Sequence, residues 1–334
     1  MTPSMWIKAV RVIPRISKDE WNQLDVISKW LISTRAAVLV MTFLSAALAG
    51  IFAVRAGQFS LGLWLLVTLG MLLAHATNNL LNDFIDFIKG VDKENYYRAQ
   101  YGPQPLVHGL MSKRELLAYA VVTGLLAAAC GLALIYLRGG MTLLLVGLDV
   151  FFVLFYTWPL KYIALGEISV LIVWGPLMIG GGYYVITGNW DWTVVLAGMP
   201  YALGVTGVIF GKHIDKCEMD KAKGIHTLPV VIGERAARYL LMGMLVLQYL
   251  LTLYLIAIGY FTVVMLVVLM AIPTLIKIWP MLRQPKPAEK PAGFPDVWPN
   301  YFVAAGFVHN RKFGVWFLLG LVVDTALKAY FASQ

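Results

Sequence analysis

The residues able to do chemistry gather in two short stretches. The first runs His75-Ala76-Thr77-Asn78-Asn79-Leu80-Leu81-Asn82-Asp83-Phe84-Ile85-Asp86-Phe87-Ile88-Lys89-Gly90-Val91-Asp92. On a continuous helix, His75, Asn79, Asn82 and Asp86 follow spacings of four, three and four. They make one polar stripe, with Asn78 and Asp83 beside it. The second stretch runs Gly211-Lys212-His213-Ile214-Asp215-Lys216-Cys217-Glu218-Met219-Asp220-Lys221 and on to Thr227. Residues 82–115 and 212–238 together hold nine of the eighteen acids, interleaved with Lys and Arg. Two carboxylate sets that face each other need positive charge between them, or some of them protonate. Hard divalent cations with oxygen ligands meet that need, and Mg²⁺ is usually shared with substrate phosphates. Nearby Lys and Arg then hold the remaining phosphate oxygens. Acids, metal and bases at a membrane surface point to a diphosphate headgroup on a lipid tail.

The elements that position these stretches are membrane helices. Of 334 residues, 60% are hydrophobic and only 13% charged, with a mean hydropathy of +0.74. Such a chain cannot cover a water-facing surface, which excludes an ordinary soluble enzyme. Nine apolar stretches are each about long enough to cross a bilayer: 30–54, 61–81, 116–137, 141–158, 167–187, 193–211, 239–258, 260–280 and 313–331. The expected fold is all-α, a polytopic membrane bundle. It has a cytoplasmic or interfacial segment over 1–29 and a single transmembrane domain over 30–334. Residues 17–30 read as a helix lying in the interface, with Trp21 and Trp30 at headgroup depth. The start of the chain does not read as a signal peptide.

The net charge of +9 reflects topology rather than nucleic acid. Twenty-three Lys and Arg fall in the N-terminal tail, the three long connections and the short loop with Lys161. Arg55, Arg138 and Lys328 are left for the other side, and Arg35 sits inside the first span. The positive-inside rule therefore places the N-terminus and both acidic stretches in the cytoplasm, at the inner membrane if the cell is bacterial. Cys130 and Cys217 have no neighbours that suggest a disulfide or a zinc site. Asp149 and Asp324 lie in spans four and nine, with no function assigned by the sequence.

The pattern Asn82-Asp83-x-x-Asp86-x-x-x-Gly90-x-Asp92 resembles the first aspartate-rich motif of the UbiA-type prenyltransferase superfamily. Tyr101-Gly102-Pro103-x-x-Leu106-x-x-Gly109-x-x-Ser112-x-x-Glu115 is similar to the 1,4-dihydroxy-2-naphthoate prenyltransferase branch. Asp220-x-x-x-Gly224-x-x-Thr227-Leu228 resembles the second motif, and Gly233 the glycine that follows it. The chain also departs from the pattern. Gly90 stands where the commonest first motif has an acid, and Asp92 is read as its replacement. Lys216 stands where the second motif usually has its earlier aspartate, with Asp215 and Glu218 on either side. Gly211 and Lys212 stand where the family has an asparagine. Five residues turn a helix by about 500°, so Asp215 and Asp220 share a face only if the helix unwinds between them.

The resemblance implies Mg²⁺-dependent transfer of a prenyl group from a polyprenyl diphosphate to an aromatic quinone precursor within the bilayer. Asn82, Asp83, Asp86 and Asp92 on one side, and Asp215, Glu218 and Asp220 on the other, are the implied metal ligands. Asn78, Lys89, Lys93, Arg98, Lys212, Lys216 and Lys221 are the implied substrate contacts. Asp86, Asp220 and Tyr101 are the implied catalytic residues. An allyl cation must be kept from water and steadied by aromatic faces, for which Tyr96, Tyr97, Tyr101, Phe155, Tyr156 and Trp158 are at hand. The 102–106 Gly-Pro-Gln-Pro-Leu segment reads as a cap, and Gly180-Gly181-Gly182 as one place with room for a tail. Competing readings are an ion-coupled transporter, a CDP-alcohol phosphotransferase, and a superfamily enzyme acting on a chlorin or glycerol phosphate.

Overall fold

The computed structural model describes residues 2–92, 97, 100 and 102–332. Among them, eight helices are long and apolar enough to cross a membrane, and the apolar helix Thr142–Phe155 makes a shorter ninth. We number the helices α1 (Thr2–Arg11), α2 (Lys18–Asn22), α3 (Val26–Ser33), α4 (Val40–Arg55), α5 (Leu61–Ile88), α6 (Lys113–Arg138) and α7 (Thr142–Phe155). They continue as α8 (Gly166–Thr187), α9 (Trp192–Asp215), α10 (Cys217–Ala222), α11 (Leu228–Ile232), α12 (Glu234–Ala257), α13 (Val263–Arg283) and α14 (Phe302–Ala332). The result is a multi-pass helical bundle with no sheet among the described residues.

The first span is shorter than its apolar run. A single helix through 30–54 would carry the Arg35 charge along the lipid-facing wall, at a cost of a few kcal/mol. The chain instead breaks after Ser33. Arg35 takes a left-handed conformation (φ 56°), and a single tight turn over Ala36–Val38 leads into α4. That turn sends the guanidinium into the bundle. The segment before it is also folded onto the protein. Ser17 closes a capping box with Glu20 at the start of α2, and Asp25 caps α3. Trp21 is buried in a cluster with Ala9, Ile32, Leu106 and Leu110 rather than lying among headgroups. Trp30 donates its indole N–H to Thr123 Oγ1 at 2.9 Å. Leu106, Leu110 and Met111 supply the apolar surface that covers Trp21, while Trp30 packs against Ala36, Leu39 and Ala76.

α9 is the central strut, packed against α4, α8, α12 and α14. Its small residues permit this. A Cβ on Gly211 would stand 2.7 Å from the Phe302 carbonyl oxygen, so only glycine lets the start of α14 approach so closely. α8 widens over Val173–Gly181 into a π-helix around Pro176, which has no N–H to give the regular ladder. At one end of the bundle, the connections after α5, α9 and α13 gather with α1–α3. At the other, Arg55 reaches Asp324 at 2.6 Å and Arg138 donates to the carbonyls of Val185 and Ile186.

Candidate active site

α5 stays helical for 28 residues, from Leu61 to Ile88, without a break at the first polar residue. His75, Asn78, Asn79, Asn82 and Asp86 therefore lie on one face, and all five line a single cavity of about 110 Å³. Lys212, His213 and Lys216, from the end of α9, form part of the same wall. The two chemical stretches, more than a hundred residues apart in sequence, thus meet around one space.

Positive charge does stand beside the carboxylates, and it comes from the protein itself. Lys161 Nζ lies 2.8 and 2.9 Å from the two Asp86 carboxylate oxygens, both side chains being almost fully buried. Lys216 Nζ lies 2.9 and 2.8 Å from the two oxygens of Asp220, which has no exposed surface. Arg35 reaches Asp83 at 3.4 Å and donates to the Asn79 carbonyl. Asn82 donates to Asp86 and to Thr157 Oγ1, each at 3.3 Å. Asn78 donates to the Val153 carbonyl, and Asn79 to that of Thr34. His75 shares a 2.7 Å hydrogen bond with Thr42 and sits edge-on to Trp174.

Other sequence candidates stand elsewhere. Asp83 and Asp92 are buried beside the cavity rather than on its lining, and Asp92 accepts a 2.6 Å hydrogen bond from Gln104. Asp215 has turned away. The helix breaks at Lys216 (φ −114°, ψ 13°), and the Asp215 carboxylate accepts the backbone N–H of Phe302 at 3.0 Å and of Val303 at 2.9 Å. It caps the start of α14, a use that a buried helix end requires. Lys286 stands 3.5 Å from it; burial lowers that ammonium's pKa, and the Asp215 charge opposes the shift. Glu218 and Lys221 are exposed, on the outer side of α10. Lys89 is exposed and lies over the Trp158 ring at 4.6 Å. Lys93, Arg98, Tyr96 and Tyr101 lie outside the described residues.

Several site residues carried no strong sequence signal. Lys161 and Arg35 are two of them. Gln104, fully buried, ties the 102–110 loop to the first stretch: its amide donates to Asp92 and to the Asp83 carbonyl, and its oxygen accepts from Leu106 and Val107. Tyr162 is a further one. Burial pushes its phenol well above the usual range and the Asp86 charge adds to this, with Lys216 opposing. His213 pairs with Glu167 of α8. Of the aromatic candidates, Tyr97 and Tyr156 line the cavity. Phe155 and Trp158 are about half exposed and do not line it.

A second, apolar cavity of about 410 Å³ lies among α5, α6, α7 and α8. It shares Ala74, Asp149, Val153 and Met178 with the polar one, so the two adjoin. Gly181 and Gly182 line it, whereas Gly180 serves close packing, since a Cβ there would meet Val195 at 2.6 Å.

Residues 43–305 match the model of the UbiA prenyltransferase family. The chain belongs to that family. It is 30% identical over 248 residues to the 1,4-dihydroxy-2-naphthoate octaprenyltransferase of Escherichia coli (strain K12), covering 70% of this chain and 79% of that one. It is 31% identical over 225 residues to a UbiA prenyltransferase domain-containing protein 1 homolog of Drosophila melanogaster. That match takes in 63% of this chain and spans 58% of the relative's length. In fold it is similar to a UbiA homolog from Archaeoglobus fulgidus bound to GPP and Mg²⁺, with a TM-score of 0.59 at 19% identity. The likeness covers 88% of this chain and 99% of that one.

Among the described residues, no three His, Cys, Asp or Glu side chains converge as a metal-holding group. The oxygens of Asn82 and Asp86 on the cavity wall are nevertheless hard donors, already attracting a cation in Lys161. That donor chemistry fits Mg²⁺, which takes one or two carboxylates and fills its shell with phosphate and water.

Proposed function

We propose that this UbiA family member is a Mg²⁺-dependent prenyltransferase. It moves a prenyl group from a polyprenyl diphosphate to an aromatic quinone precursor in the membrane and releases diphosphate. The observation that carries the reading is the meeting of α5 and the end of α9 around one polar cavity that adjoins an apolar one. A headgroup of high negative charge suits the first, and an isoprenoid tail suits the second. The UbiA homolog bound to GPP and Mg²⁺ and the relative named a 1,4-dihydroxy-2-naphthoate octaprenyltransferase support the same substrate classes. We place the N-terminus and the motif loops in the cytoplasm, on the charge asymmetry of the connections.

Asp220 stands behind Lys216, buried off the cavity lining, and Asn82 and Asp86, on that lining, would hold Mg²⁺. Bound there together with the diphosphate, the metal supplies charge neutralisation for the leaving group. The chain's own residues do the rest. Lys161, Lys212 and Lys216 hold the phosphate oxygens. The loop tied down by Gln104 closes over the first motif and keeps water from an allylic cation. Tyr97 and Tyr156, which line the same cavity, are the aromatic residues that would steady such a cation. The apolar cavity takes the tail. The ion-coupled transporter reading favours acids near the midplane and broken helices; here the paired acids gather at one end of an unbroken α5.

The test uses the purified full chain in lipid nanodiscs with geranyl diphosphate, Mg²⁺ and 1,4-dihydroxy-2-naphthoate. Mass spectrometry should find a prenylated product together with released diphosphate, both abolished by EDTA and by Asp86→Ala. Absence of Mg²⁺-dependent diphosphate release with this and other aromatic acceptors would refute the proposal.

A further inference from the structure

The polar cavity reaches well past the residues assigned to the headgroup. On α5, His75 precedes Asn82 by seven residues and Asp86 by eleven. It therefore stands about 10 Å further into the bundle than the first and about 16 Å further than the second. On α7, Asp149 precedes Tyr156 by seven residues and lies equally far from the end that carries the acidic stretches. Trp174 lies about two turns into α8. All three line the cavity. Asp149 also stands on the wall of the apolar cavity, with Ala74, Val153 and Met178, so it marks the neck between the two spaces.

These inner groups are not spent on the protein. Among the described residues, no donor or cation pairs with the Asp149 carboxylate. The Trp174 indole N–H is buried and has no acceptor. His75 gives one ring nitrogen to Thr42 at 2.7 Å and stands edge-on to Trp174, the ring centroids 5.3 Å apart. A lone carboxyl on a membrane helix and an unanswered buried N–H are both costly, and a ligand that answers both recovers that cost.

Resting on the prenyl transfer reading above, we propose that this inner end is the docking site of the aromatic acceptor, and that it selects an arene with a free hydroxyl. An ionised carboxyl only accepts hydrogen bonds and an indole N–H only donates. A phenolic hydroxyl does both, and a ring with two hydroxyls answers each group separately. Phe152, Tyr156 and the His75–Trp174 pair supply aromatic walls for a flat ring. Asp149 repels a carboxylate, so the ring enters hydroxyl first, with any acid group turned away. A prenyl diphosphate with its head at Asn82 and Asp86 and its tail in the apolar cavity passes the neck. An acceptor held there by Asp149 lies beside its first carbons. A methyl ether keeps the ring and loses the donor, which leaves Asp149 unanswered in a desolvated place.

Calorimetry on the full chain in nanodiscs, under argon at pH 8, tests this with 1,4-dihydroxy-2-naphthoate and its dimethyl ether, 1,4-dimethoxy-2-naphthoate. We expect the native protein to bind the dihydroxy compound more tightly by about tenfold or more. Asp149→Leu should erase that preference by weakening the dihydroxy compound alone, and Asp149→Asn, which adds a donor, should narrow it. Trp174→Phe should weaken both compounds. Magnesium diphosphate, which has no tail to enter the neck, should still bind every variant and shows that each is folded. Equal native affinities, no native binding of either arene, or a preference that survives Asp149→Leu overturns the inference while the prenyl diphosphate reading stands. A native protein that selects the dihydroxy compound but does not bind magnesium diphosphate overturns that reading instead and leaves the arene site standing.

Discussion

The Lys161–Asp86 pair gives the most quantitative prediction. Lys161 is 3% exposed and Asp86 8%, and Nζ touches both carboxylate oxygens. Removing one member of a buried pair strands the other charge, at about 3–5 kcal/mol, whereas replacing both with neutral groups is often near neutral. Lys161→Met should therefore destabilise the metal-free protein by about 3–5 kcal/mol. Asp86→Asn should cost less, since the amide still accepts one hydrogen bond from the ammonium. The double variant Asp86→Asn/Lys161→Met should be more stable than Lys161→Met alone, a coupling of about 2–3 kcal/mol. The assay is SDS-driven unfolding in mixed micelles for all four proteins, with and without Mg²⁺ and inorganic diphosphate. Mg²⁺ plus diphosphate should rescue Lys161→Met more than it stabilises the native protein, because the divalent ion replaces the missing ammonium beside Asp86. Additive effects, or a Lys161→Met protein as stable as the native one, would refute the reasoning.

Asp215→Ala leaves the N–H groups of Phe302 and Val303 without their acceptor, and each buried unsatisfied donor costs about 1–3 kcal/mol. Hydrogen exchange at 302–304 should accelerate sharply; unchanged protection there would contradict the capping role. At the far end of the bundle, Arg55→Leu takes from Asp324, which has no exposed surface, its directly paired cation and leaves it the Thr262 N–H. Stability should fall by about 3 kcal/mol or more, while diphosphate affinity per folded molecule stays unchanged; a matching loss of affinity would show that the two ends are coupled. Burial pushes the Cys217 thiol up to about 11. The reactive thiolate is thus scarce at neutral pH and appears only as pH rises toward that value. Iodoacetamide labelling in a Cys130→Ala background should be slow at pH 8 and rise with each pH unit above it. Rapid labelling at pH 7 would contradict this.

Much of the site could be read from residue spacing. The polar stripe His75–Asn79–Asn82–Asp86 needed only an unbroken helix, and α5 supplies it. The pairing of two acidic stretches followed from their matching positions after even-numbered spans. The partners of those acids were less legible. Lys161 is a lone cation in a short loop, where it counts equally well toward membrane topology. Arg35 is hidden in an apolar run that reads as one helix, and only the left-handed turn reveals that it points inward. The helix period shows that Asp215 and Asp220 diverge. It does not show that Asp215 is spent on the end of α14, since that segment lies 87 residues away. The fit of Trp21 into a core cluster depended likewise on the distant 102–111 segment, which no local pattern near Trp21 announces.

A headgroup gripped from both sides of the cavity is tested most directly by one structure. The full chain would be crystallised with Mn²⁺ and geranyl S-thiolodiphosphate, and the metal located by its anomalous signal. The account predicts diphosphate density between α5 and the α9–α10 break, touched by Lys161 and Lys216, with manganese against Asn82 or Asp86. Density held by one stretch alone, or manganese bound away from that cavity, would contradict it.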